Sequence, residues 1–95
     1  MYIFSADATA RKDIDDDVKT GQQVPFIVYI NFTDLFGAEQ LCKIYLMRAG
    51  FTEINIHKRK GVPDSLLQDK RVVAADKALS EALEGGYHIQ MYDDF

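Results

Sequence analysis

The sequence predicts one α+β domain, a sheet with helices packed on one of its faces. Three stretches carry that expectation. "VPFIVYINF" is a β-branched and aromatic run, "LFGAEQLCKIYLMRAG" is an apolar stripe at helical spacing closed by a glycine, and "FTEINIHK" alternates immediately after it. At 95 residues the chain has enough apolar surface for one core, so residues 1–95 are read as a single domain.

Taken in order, "YIF" is a short strand signal. Ala10, Ile14 and Val18 then recur at steps of four in an otherwise charged segment, which reads either as a marginal helix ending near Gly21 or as an extended acidic loop. From Phe26 to Ile30 no polar residue interrupts the chain, as in a strand central to its sheet, and Pro25 stands where its missing N–H does least harm. Thr33 or Asp34 offers a helix cap, and Leu35, Ala38, Leu41 or Cys42, Tyr45 and Ala49 form the apolar stripe that follows. Gly50 supplies the left-handed stop, with Phe51 folding back on the last turn.

Between Phe51 and Lys58, Ile54 and Ile56 alternate with Glu53, Asn55 and His57, so this strand buries one face. Residues 61–75 admit two readings. Ser65 with Gln68 makes a capping-box pattern for a long helix to Glu84, or "KRVVAA" is a short strand and the helix starts at Asp76. Both place Ala75, Ala78, Leu79, Ala82 and Leu83 on a helix ended by Gly85-Gly86. A last strand sets Tyr87, Ile89 and Met91 against His88, Gln90 and Tyr92.

This order describes a ferredoxin-like α/β plait, its sheet antiparallel or mixed, with residues 24–95 as the plait core and residues 1–23 as an N-terminal strand/helix extension. A plait of this length resembles the acylphosphatases, whose pattern sets a glycine-rich loop and an arginine after the first strand to bind phosphate. Here that place reads "INFTDLFGAEQ", with no arginine, so the resemblance implies fold and no activity.

Composition narrows the function. The net charge of −4 and pI near 5.0 repel a phosphate backbone at long range, making direct nucleic-acid binding the lesser expectation. The lone Cys42 sits on the helical stripe as a small hydrophobe and fits a reducing, cytoplasmic setting. Neither a signal peptide nor a membrane-spanning run is visible, and no metal or cofactor motif is recognised. His57 and His88 read as solvent-facing strand residues, and Ser5, Ser65 and Ser80 lie in no nucleophile turn, so an enzyme is not expected.

What remains is a binding module. The foremost expectation is a small acidic inhibitor, of the phage anti-defence or toxin-immunity kind, occluding a site on a larger protein or nucleoprotein complex. Asp15, Asp16, Asp17, Asp93 and Asp94 are its candidate electrostatic surface, with Tyr29, Tyr92 and Phe95 as aromatic anchors. An alternative places single-stranded nucleic acid on an open sheet face carrying Tyr29, Asn55, His57, His88, Gln90 and Tyr92, beside a basic patch of Lys58, Arg59, Lys60 and Arg71. A third pairs two copies of the chain across that face around a small-molecule pocket.

Overall fold

The computed structural model describes residues 1–92, which form eight elements. They are β1 (Tyr2–Ala10), β2 (Gln23–Ile30), α1 (Leu35–Arg48), β3 (Phe51–Gly61), α2 (Asp64–Leu67), α3 (Lys70–Ala75), α4 (Lys77–Gly85) and β4 (Tyr87–Met91). The strands make one four-stranded antiparallel sheet in the order β3-β1-β2-β4. Such a sheet with helices is compatible with a plait-like domain. Its central pair, however, is consecutive in the chain: β1 and β2 form a hairpin with Tyr2 opposite Ile30 and Thr9 opposite Gln23.

One face of the sheet holds the main core. Successive strand side chains alternate between faces, and Phe4, Ala6, Ala8 and Ala10 of β1 line up with Val24, Phe26, Val28 and Ile30 of β2, all buried. Alanine lacks the γ-atoms that would hold a helix off the central strand. Ala38, Cys42 and Leu46 of α1 close over this face, and Phe51 meets Phe26 edge to face at 4.8 Å. Both ends of α1 follow the sequence signals. The Asp34 carboxylate accepts the Gly37 N–H at 2.7 Å, and Gly50 has φ +103°, a region where a Cβ is strained.

The other face is covered only in part. Leu79 and Ala82 of α4 bury with Met1 against Tyr29, and Val62, Leu67, Val72, Val73 and Leu83 pack at the margin of this smaller cluster. Helices therefore lie on both faces, correcting the expectation that they share one. The reason is that Ile3 and Tyr29 project away from the α1 side, and α4 shields this apolar surface from water.

Residues 1–23 are likewise no extension: β1 is one of the two central strands. Of the two readings of the charged segment after β1, marginal helix or acidic loop, the second holds: it is the loop joining β1 to β2, and the four-residue spacing arises because Ala10 enters the core from a strand while Ile14 and Val18 enter it from the loop. Lys70–Ala75 is helical, and no single long helix runs to Glu84. Pro63, Asp69 and Asp76 each stand in an extended conformation at a helix start, dividing the segment into α2, α3 and α4. Among the described residues no helix is long and apolar enough to cross a membrane.

Candidate protein-binding site

The β1–β2 loop owes its shape to its aspartates. Asp13 accepts both the backbone N–H and the hydroxyl of Thr20 at 2.9 Å, and this pair of bonds holds its carboxyl below the usual carboxylate range. Asp15 accepts the N–H groups of Asp17 and Val18 at 2.8 and 2.9 Å, and the Ile14 N–H donates to the Val18 carbonyl at 2.9 Å. Val18 and Ile14 turn into the core while Asp16 and Asp17 face solvent. At the loop's other side, the Arg11 N–H donates to the Gly50 carbonyl at 3.0 Å. A Cβ on Gly50 would lie 2.8 Å from both the Ile14 and the Lys12 side chains, so the loop packs onto bare backbone there.

Beside this loop the chain leaves β4. The Tyr92 N–H donates to the Pro25 carbonyl at 3.3 Å, which continues the sheet by one residue and sets Tyr92 next to the loop. Asp15, Asp17, Val18, Gln23, Met91 and Tyr92 together line an open cleft of about 320 Å³. Two groups of residues that the sequence marked at opposite ends of the chain thus meet in one place. Asp93, Asp94 and Phe95 lie outside the described residues.

Tyr29 does not join them. It faces the α4 side, where its ring meets His88 at 6.0 Å in an edge-on arrangement, and burial, reinforced by the Asp76 charge, pushes its phenol pKa up. His88 is correspondingly partly covered and contacts Glu81 of α4 at 2.6 Å, so it is not the solvent-facing residue expected. With Tyr29 and His88 against α4, the aromatic sheet-face platform does not form.

The basic run is divided by strand alternation. Lys58 and Lys60 stand opposite Ser5 and Ile3, while Arg59 stands opposite Phe4 and pairs with Glu39 of α1. That hydrogen bond raises the Arg59 pKa further. Arg71 is on α3, 3.6 Å from Asp69. Lys58, Arg59, Lys60 and Arg71 therefore make no single patch.

A constellation that the sequence did not reveal lies on the uncovered half of the second face. Asp7 contacts His57 and accepts hydrogen bonds from Gln23 at 3.1 Å and Asn55 at 3.3 Å. The His57 hydrogen bond is the main influence that lowers the Asp7 pKa; burial opposes it, and the bonds from Asn55 and Gln23 add to the lowering. An imidazole held by a carboxylate is half of a nucleophilic relay, but among the described residues no serine, threonine or cysteine is hydrogen-bonded to it. Its visible role is to tie β3 to β1 where two irregularities interrupt their register. Asp7 escaped notice because β1 was not read that far, and no local signal pairs it with a residue in a later strand.

The remaining chemistry is sparse. Cys42 is fully buried in the core, and burial above all pushes its thiol up to about 12, which leaves it protonated and unreactive. Among the described residues no group of His, Cys, Asp and Glu is placed to hold a metal ion. The chain matches no protein-family model, and neither a curated protein nor a solved structure is significantly similar to it.

Proposed function

We propose that the protein is a non-enzymatic protein-binding module, a small acidic inhibitor that occludes a site on a larger, nucleic-acid-processing enzyme. The observation that supports this reading is the cleft where Asp15 and Asp17 of the β1–β2 loop meet Met91 and Tyr92. Exposed carboxylates on a loop stitched by its own hydrogen bonds steer a basic surface toward the site without ordering the loop on contact. Tyr92 and Met91 then offer the apolar contact that slows dissociation. A surface that receives a polyanion is basic, and its charge complements the carboxylates beside this cleft.

The test separates the two contributions. The tagged chain is used to retain its partner from host lysate with and without nuclease treatment, and the purified partner is then titrated with variants. Asp16→Asn/Asp17→Asn is expected to lower the association rate and its salt dependence, while Tyr92→Ala is expected to raise the dissociation rate. Asp15 is left intact because its carboxylate holds the loop. Unchanged kinetics in both variants would remove the cleft from the interface, and retention of nucleic acid alone would overturn the reading.

A further inference from the structure

The two edges of the sheet are built differently. β3 is an edge strand with register irregularities at Ser5/Ala6 and Asp7/Thr9, a left-handed Glu53 at φ +50°, and Lys58 and Lys60 along its length. Bulges and lysines are the features that keep an exposed edge from recruiting another strand. β4, the other edge, has neither: Tyr87-His88-Ile89-Gln90-Met91 contains no lysine, no proline and no register shift against β2.

The backbone direction of β4 can be read from its ends. The Gly86 carbonyl accepts from the Asn31 N–H at 2.9 Å and the Tyr92 N–H donates to Pro25, so Gly86, His88, Gln90 and Tyr92 turn their backbone groups toward β2. By alternation, the N–H and C=O of Tyr87, Ile89 and Met91 point away from the sheet. Among the described residues no hydrogen bond reaches them. The same three residues put their side chains on one face, where Tyr87 and Met91 are 41% and 48% exposed.

We infer that β4 pairs antiparallel with β4 of a second copy of this chain, about a twofold axis at Ile89. The strand is self-complementary in that register. Ile89 meets its own copy, Tyr87 meets the partner copy's Met91 and Met91 its Tyr87, each of these pairs exchanging two backbone hydrogen bonds. Every outward group of β4 is then satisfied, and apolar side chains face apolar side chains. A strand from an unrelated protein would satisfy the backbone equally, but the matched apolar pattern about Ile89 favours a second copy. Because β3 is blocked, the joint closes as an isologous dimer with one eight-stranded sheet and does not propagate into a fibre. Antiparallel pairing also sets the two acidic clefts, each beside Met91, at opposite ends of the joint.

Sedimentation of the full chain across a concentration series tests this, with hydrogen exchange followed at Tyr87, Ile89 and Met91. A mass rising to twice the 10.8 kDa of the chain is expected, with protection of those three amides rising alongside it. Each copy carries −4, so added salt should strengthen the dimer, whereas it should weaken binding of a basic partner at the cleft. Met91→Pro removes an outward N–H at a half-exposed edge position and should give a monomer with unchanged circular dichroism and melting. A monomer at every concentration, or a dimer that survives Met91→Pro, overturns the proposal. Should that variant fold poorly, wild-type amides showing no concentration-dependent protection overturn it equally.

Discussion

Asp7 and Asp13 are surface carboxylates whose partners are fixed by the fold, His57 with Asn55 and Gln23 for the first and Thr20 for the second. Both are held more acidic than in an unfolded chain, so both favour the folded state while ionised. Their contribution is present above the unfolded carboxylate range, near about 4, and is lost as pH falls through the lower folded-state values. Denaturant unfolding measured over a pH series should therefore show stability declining through that acid window. Asp7→Asn/Asp13→Asn should flatten the decline. An equally steep decline in the double variant would assign acid sensitivity to other carboxylates.

Elements whose signals are local were legible in the sequence. For α1, the Asp34 cap, the stripe through Ala38 and Cys42 and the Gly50 stop all lie within the helix or beside it. β1 was legible only in its first residues, because Ala6, Ala8 and Ala10 are poor strand formers whose value lies in admitting α1, a contact made far along the chain. The acidic loop and Tyr92 were identifiable as residues. Their meeting was not, since it depends on β2 pairing with β1 on one side and β4 on the other.

The division of residues 64–85 shows how one side chain overrides a periodic pattern. Asp76 ends α3 and accepts the Leu79 N–H at 3.1 Å to start α4, and its charge also bears on Tyr29. Asp76→Ala should cost about 1 kcal/mol in unfolding free energy and lower the Tyr29 titration midpoint. Asp76→Asn keeps a capping oxygen and removes the charge, so it should lower the midpoint with little loss of stability. If both variants lose stability alike, capping is not what Asp76 contributes.

At the scale of the whole molecule the two faces of the sheet are unequal. Among the described residues, the α1 side buries a continuous cluster from Phe4 to Phe51, whereas the α4 side buries only Met1, Leu79 and Ala82 beneath short helices. A layer held by so little apolar surface should open before the sheet unfolds. The thermodynamics give this a definite signature in native-state hydrogen exchange. Leu79→Ala weakens the intact protein relative to every open form, so it should lower the opening free energy of α4 and of β1–β2 together, by about 2–5 kcal/mol for a buried leucine. Leu46→Ala, in the main core, weakens the intact protein and the α4-open form equally, because Leu46 stays buried in both. It should therefore lower the opening free energy of β1–β2 and leave that of α4 unchanged. If Leu46→Ala moves α4 amides as far as those of β1–β2, the domain unfolds as one unit and α4 has no separate opening.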